Sequence, residues 1–405
     1  MVSLAEIQAA RSLLERKVIR TPLVYSPTFS DMTGAEVYLK LETMQKAGSF
    51  KVRGAANRIF GRRSEIGRGG VIAASAGNHA QGVAVAAAMA GVAATIVMPE
   101  WVSLSKQEAT VGYGARVILR GSSLEESIAY AKKAALDEDM TFIHPYDDPL
   151  VIAGQGTIGL EVLEDLPDVD IVVVPVGGGG LIAGIATAVK SSRPGARVVG
   201  VQAAACPSAA EAFRGGGPVT VEALPTIADG IRVKRTGDLT YPVVRDLVDG
   251  VVLVGEQAIM EAMLQLLERK KVLSEGAGAA PLAALLSRGV AVAKREKVVL
   301  VISGGNVDTF LLERILKKGL YASGRMLQLA VTVEEGTHSL PALLQALAHA
   351  GGVVNRIDQE RSAPDLPVHQ MRVILELEAR GRHHREALIA ALHEAGFAAR
   401  PFPAD

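Results

Sequence analysis

The 405-residue sequence predicts an α/β protein built on parallel-type sheets, followed by a smaller βαββαβ unit. Two observations predict the first part. Short apolar runs alternate with helical stretches from Gly70 onward, and a second such series starts near residue 151. A third predicts the second part: beyond 318–324 the spacing changes to long alternating strands with two intervening helices. A chain this long suggests two or three domains.

Taken in order, residues 4–18 place Leu4, Ile7, Ala10, Leu13 and Leu14 on one helical face, and Thr21-Pro22-Leu23 ends that helix. The strand 37–41 leads through a polar, Gly-containing turn to Ser49, placed to cap a helix whose first turn carries Phe50 and Lys51. Strands at 71–75, 94–98, 116–119 and 141–144 alternate with helices near 79–90, 104–111 and 123–136. The second series runs helix 156–166, strand 171–176, helix 181–190, strand 197–201, helix 256–269 and strand 297–302. Such βα alternation puts ligands outside the carboxyl ends of the strands.

Residues 318–324 read as a linker. After it Leu327, Leu329, Val331 and Val333 alternate as a half-buried strand, and Leu340, Leu343, Leu344 and Leu347 share one helix face. Strands at 352–362 and 368–380, a helix at 384–395 and a strand at 398–402 complete a ferredoxin-like split unit. The expected division is therefore 1–317, with a smaller subdomain of about 48–147 inserted, then the linker, then 325–405.

Hydrophobic residues make up 49% and charged residues 21%, which describes a packed chain and not a disordered one. A formal net charge of zero argues against a nucleic-acid partner or a polybasic membrane contact. The single cysteine, Cys206, excludes a disulfide framework and a Cys-rich metal site, and fits a reducing, cytoplasmic setting. Glu6, Arg11, Glu15, Arg16 and Lys17 are foreign to a signal peptide, and no apolar run approaches the ~20 residues of a membrane span.

Several stretches carry chemistry. A lysine at a helix start faces the positive end of the helix dipole, which lowers its pKa, and only a neutral amine attacks a carbonyl; taken alone, Lys51 reads better as a solvated surface group. Gly177-Gly178-Gly179-Gly180 separates a buried strand from a helix, so its backbone N–H groups can close around an anion. Gly178, Gly180 and Ala183 also fit a dinucleotide pattern. The next strand, however, ends at Gln202 where a ribose-binding acid is needed, which favours a single phosphate. The turn Ser75-Ala76-Gly77-Asn78-His79 offers N–H donors, a hydroxyl and an amide suited to a carboxylate, or else ordinary capping by Asn78. Ser303-Gly304-Gly305-Asn306 reads as a turn with a capping asparagine. His383, His384 and His393 read as a charged helix face and not a metal site, because no Asp, Glu or Cys cluster accompanies them.

Ser49-Phe50-Lys51-Val52-Arg53-Gly54-Ala55, Ser75-Ala76-Gly77-Asn78-His79, Pro175-Val176-Gly177-Gly178-Gly179-Gly180-Leu181 and Ser303-Gly304-Gly305-Asn306 stand in one order. Together they closely resemble the motifs of the β-family of pyridoxal-phosphate (PLP) enzymes, fold type II and tryptophan synthase β-like, in its threonine dehydratase and serine racemase branch. The resemblance covers roughly residues 5–315. It implies that Lys51 holds PLP through a Schiff base beside Phe50, that Gly177–Gly180 and Leu181 hold the phosphate, and that Asn78 bonds the phenolic oxygen. It implies that Ser303 bonds the pyridine nitrogen and that Gly230 and Glu275 lie near the cofactor. Ser75, Ala76, Gly77, Asn78 and His79 are expected to hold the substrate carboxylate, with no proton-transfer role for His79.

A hydroxyl at the pyridine nitrogen leaves it largely neutral, which favours elimination over transamination. The implied activity is conversion of L-threonine to 2-oxobutanoate and ammonia, with the freed Lys51 amine removing the Cα proton and L-serine giving pyruvate. A rival inside the family is serine or hydroxyaspartate racemisation and dehydration. Racemase relatives carry a serine where Ala76 stands, and racemase-like relatives a carboxylate where Gln202 stands, so no metal ion is assigned. A rival of another class is a non-catalytic amino-acid sensor. The C-terminal βαββαβ order resembles an ACT regulatory domain. It implies an amino-acid effector, isoleucine with valine as antagonist for an enzyme of isoleucine synthesis, and a homodimer or homotetramer.

Overall fold

The computed structural model describes residues 1–402, and the chain divides into two compact units, one ending at Asp308 and one starting at Thr309. The first opens with α1 (Leu4–Leu14), β1 (Leu23–Tyr25), α2 (Pro27–Thr33), β2 (Glu36–Leu41) and α3 (Lys51–Gly61). It continues with β3 (Val71–Ala74), α4 (Asn78–Ala90), β4 (Ala94–Met98), α5 (Leu104–Gly112), β5 (Arg116–Leu119), α6 (Leu124–Asp137) and β6 (Thr141–Phe142). The second series is α7 (Pro149–Asp165), β7 (Ile171–Pro175), α8 (Gly180–Ser192), β8 (Arg197–Ala203), α9 (Ser208–Gly215), α10 (Thr240–Leu247), β9 (Gly250–Val254), α11 (Glu256–Gln265), α12 (Gly276–Leu286) and β10 (Lys297–Ile302).

These strands form two sheets. The six-stranded one has the order β1-β2-β10-β7-β8-β9 and is parallel except for the edge strand β1. The four-stranded one, β5-β4-β3-β6, is wholly parallel and interrupts the larger sheet between β2 and β7. Strands covered on both faces need no polar alternation, and β7 and β3 are buried at every residue. Val172, Val174, Val299 and Val301 pack against Ile182, Ile185 and Val189 of α8. Val71, Ala73 and Ile96 pack against Val52 and Ile59 of α3 and Val83 of α4. Each fully buried Val or Ile is worth roughly 1.5–3 kcal/mol.

Three local expectations change. Ser49 does not cap α3: it is extended (φ −159°, ψ 160°) and bridges to Gly304, leaving Phe50 at the cap position with no side-chain bond. The helix expected from 156 begins at Pro149, because Asp148 accepts the N–H groups of Leu150 and Val151 at 2.8 and 3.0 Å. The strand expected over 141–144 stops at Phe142, and the His144 ring instead accepts the N–H groups of Tyr146 and Asp147.

The second unit contains α13 (Thr309–Ala322), β11 (Met326–Glu334), α14 (Ser339–His349), β12 (Val353–Glu360), β13 (Gln370–Glu378), α15 (Arg382–Glu394) and β14 (Ala398–Pro401). Its antiparallel sheet has the order β12-β13-β11-β14, the connectivity of a split βαββαβ unit. Leu327, Leu329 and Val331 of β11 and Val373 and Leu375 of β13 pack with Leu343, Leu347, Leu388 and Leu392 of the two helices. The expected linker at 318–324 is largely the end of α13. Lys317 and Tyr321 hydrogen-bond Glu376 of β13 at 2.7 and 2.8 Å, which fastens this helix to the second unit and moves the boundary from 317 back to 308.

Candidate active site

Lys51 is the first residue of α3, at the carboxyl end of the β2 segment. Its Nζ donates to the Pro145 carbonyl at 2.8 Å and lies 5.2 Å from the centre of the Phe50 ring. Burial pushes its pKa down to about 8, against an opposing pull from the Glu275 carboxylate. Desolvation is thus what brings this amine closer to its neutral form.

Around it the loops at the strand ends converge. Phe50 N–H donates to the Ser303 carbonyl at 3.1 Å, and Glu275 N–H to the Gly304 carbonyl at 3.1 Å. Asn78 Nδ2 donates to Glu275 Oε1 at 2.7 Å. Gly304 sits at the centre: a Cβ there would lie 2.7 Å from Glu275 Oε1, 3.1 Å from Ser49 Cβ and 3.2 Å from Asn78 Nδ2. A Cβ at Gly230 would lie 3.3 Å from Glu275 Oε1, and one at Gly177 3.2 Å from Ile231 Cα. The expected residues Lys51, Phe50, Asn78, Gly230, Glu275 and Ser303 are therefore neighbours, although they come from segments far apart in the chain. Burial drives the Glu275 carboxyl up to about 7, reinforced by Asp229, while the Asn78 bond resists the rise.

The glycine quartet lies between β7 and α8, which begins at Gly180. Gly179 is left-handed (φ +96°), and a Cβ at Gly178 would strike the Tyr146 ring at 2.4 Å, so neither position admits a side chain. Thr240 Oγ1 and Gly237 N–H hold the Gly178 carbonyl at 2.7 and 3.1 Å, turning this peptide away from the cleft. Among the described residues, nothing accepts the N–H groups of Gly178 and Gly179. Leu181 is buried one residue into α8. The arrangement leaves N–H groups at the start of a helix free to donate, as a site for an anion would need.

In the 75–79 turn, Ser75 Oγ accepts from Gly77 N–H at 3.2 Å, and Ser75, Ala76, Gly77 and Asn78 are half-buried at the start of α4. The His79 ring points elsewhere. It bonds the Ile143 carbonyl at 2.9 Å, so Nε2 carries the proton, and burial with Lys51 nearby pushes its pKa down to about 3. Only its backbone belongs to the turn.

Tyr146 and Thr240 were not readable as site residues, because each reaches the glycine quartet from a segment distant in the chain. Asn306 was readable only as a cap, yet its amide bonds Asn78. Among the described residues no group of three or more His, Cys, Asp or Glu is placed to hold a metal. At Gln202 the amide oxygen accepts from Ala209 and Ala210 N–H at 2.9 and 3.2 Å and Nε2 donates to Ser208, a neutral, saturated set that does not fit a cation.

Two features fit PLP itself. The buried Ser49 hydroxyl has no partner, and the glycine cradle would be filled by any Cβ. Comparison with known proteins agrees. Residues 14–304 match the family described as pyridoxal-phosphate dependent enzyme. An L-threonine ammonia-lyase of Thermotoga maritima is 46% identical over 400 residues, covering 99% of each chain. A threonine deaminase from T.th. superposes with a TM-score of 0.71 at 41% identity, covering 76% of this chain and 99% of that one. Maize serine racemase gives 0.74 at 38% identity, covering 79% and 98%. The chain belongs to the pyridoxal-phosphate-dependent enzymes, in their threonine ammonia-lyase family.

Proposed function

We infer that this protein is a threonine ammonia-lyase that converts L-threonine to 2-oxobutanoate and ammonia, and L-serine to pyruvate as a side activity. The observation that carries the reading is the Lys51 amine, its pKa lowered by burial and its side chain set among Asn78, Glu275, Gly304 and Ser303. Lys51 would hold PLP, with its phosphate on the N–H groups of Gly177–Gly180 and Leu181. Asn78 would meet the phenolic oxygen, Ser303 the pyridine nitrogen, and Phe50, Gly230 and Glu275 would line the ring. When bound, PLP supplies an electron sink for the pair left at Cα. The chain's own residues do the rest. The turn Ser75–His79 orients the substrate through its carboxylate, and Lys51 Nζ takes the Cα proton. Ser303 offers a neutral hydroxyl and no carboxylate, so nothing holds an extra proton on its acceptor; this favours loss of the β-hydroxyl over transamination.

Racemisation needs a second proton donor on the face opposite Lys51. Ala76, whose methyl cannot transfer a proton, stands where that donor is needed, and Ser75 lies one residue away, which favours the lyase over the racemase reading. The second unit we read as an ACT-like regulatory domain, binding isoleucine as inhibitor and valine as antagonist in a cytoplasmic homodimer or homotetramer. Its split βαββαβ order supports the ACT-like reading. The test is release of ammonia and oxo-acid from L-threonine, L-serine, D-serine and hydroxyaspartate. Fastest turnover of L-threonine is expected. Absence of oxo-acid from every substrate by PLP-loaded protein would favour a sensor instead.

A further inference from the structure

The two ends of a side-chain amide are nearly isosteric, so an asparagine serves a ligand reliably only where something fixes which end faces it. Here the fixing starts at Ala47. Its backbone is left-handed (φ 61°, ψ 19°), uncommon for a residue with a Cβ, and its carbonyl faces the Asn306 side chain. A backbone carbonyl can only accept, so the Asn306 atom 2.9 Å away is its nitrogen. That nitrogen also lies 2.5 Å from the Asn78 amide and 3.2 Å from Gln81 Oε1. A donor must meet an acceptor, so the nearer end of Asn78 is its oxygen. The Asn78 nitrogen is thereby turned the other way, where one N–H meets Glu275 Oε1 and the second is left for an acceptor in the cleft. Glycines keep the chain of amides close: a Cβ at Gly48 would come within 2.9 Å of Asn306 Oδ1.

We propose that Asn306 is a positioning residue: anchored on the Ala47 carbonyl, it locks the Asn78 amide so that an N–H, and not a carbonyl, faces the phenolic oxygen of the cofactor. This rests on reading Asn78 as the partner of that oxygen. Without the lock only the Glu275 contact opposes a turn of the amide that would bring its own oxygen toward the phenolate, replacing an attraction by a repulsion.

The test uses holoenzyme of the parent, Asn306→Asp, Asn306→Ala and Asn78→Ala, each with its melting temperature. Asn306→Asp keeps the shape but has no nitrogen to give Ala47; Asn306→Ala is the second variant should a buried carboxylate prevent folding. The readouts are the pH midpoint of the bound cofactor's visible band and cofactor retention on dialysis. Losing an N–H bond to a charged oxygen raises the proton affinity of the bound cofactor. Both Asn306 variants should move the midpoint up by about one unit and weaken retention about tenfold or more, in the same direction as Asn78→Ala. A folded Asn306 variant with the parent midpoint, beside an Asn78→Ala variant that shifts, overturns the lock and leaves the reading of Asn78 intact. If Asn78→Ala does not shift either, the reading of Asn78 falls and the lock with it.

Discussion

Lys51 has a folded pKa of about 8 against an ordinary value of 10.5. The unfolded chain therefore binds that proton more tightly, so in the cofactor-free protein this residue costs most stability below pH 8, and the cost fades as pH rises from 8 to 10.5. Lys51→Met is expected to abolish turnover yet make the apoprotein more stable by about 1–3 kcal/mol at pH 7, with no gain above pH 10.5, as urea unfolding at the two pH values would reveal. Normal turnover in that variant would mean that another lysine anchors the cofactor. Ala76 carries a second expectation. The parent should convert L-serine to pyruvate with no appreciable D-serine, while Ala76→Ser, which restores a hydroxyl beside the Gly77-Asn78 pair, should release measurable D-serine by chiral chromatography. Substantial D-serine from the parent would revive the racemase reading.

Helix α3 carries Lys51 and, two residues on, Arg53, which lies on a different side and is wholly buried. Arg53 bonds Glu42 at 2.9 and 2.8 Å and Glu161 at 2.6 and 3.0 Å, and Lys40 bonds the same Glu161 at 2.6 Å. Two cations and two carboxylates thus join β2, α3 and α7 with no net charge. Although burial opposes it, Glu42 and Glu161 keep the guanidinium firmly charged. Such a set adds little by forming but much is lost by breaking it. Glu161→Gln should destabilise the protein by about 3–5 kcal/mol, read as a lower urea midpoint at pH 7; a midpoint within error of the parent would mean that water relieves the stranded cations. At this scale the sequence was legible where one face or one run is apolar, as in α1, β7 and β10. It was silent on α12, whose Gly276, Gly278 and Pro281 read as breakers and whose nearly complete burial erases any helical period. The eight-residue helices α9 and α10 are too short to show a helical period, while β9, the apolar run Gly250–Val254, was legible in kind but passed over. The site divides the same way. Lys51, Asn78, the glycine quartet and Ser303 sit in local motifs, whereas the Asn306–Asn78 bond joins residues 228 apart and Thr240 reaches Gly178 across 62.

The whole molecule separates chemistry from what we read as control. Every proposed catalytic and cofactor residue lies before Asp308, and the second unit builds its own core from β11, β13, α14 and α15. The relative from Thermotoga maritima matches this chain over 99% of its length, so the second unit is shared with an enzyme and is not an addition peculiar to this chain. A regulatory unit should be removable without loss of turnover, but the cut has to respect α13. Ending the chain at Lys318 would leave most of that helix without Glu376, the β13 carboxylate that holds Lys317 and Tyr321. Ending it at Asp308 removes the unit whole. For isoleucine to inhibit, it must bind a low-activity state more tightly than the active one; equal affinity for both would shift nothing. The full chain titrated with isoleucine should therefore need about 5–150-fold more L-threonine for half-maximal rate, with valine reversing the shift. The chain ending at Asp308 should turn over L-threonine with the same curve at every isoleucine concentration. A full chain whose curve neither amino acid moves would leave the second unit with assembly as its role. A response that survives the truncation would put the effector at the catalytic cleft, competing with threonine for the turn at Ser75–His79.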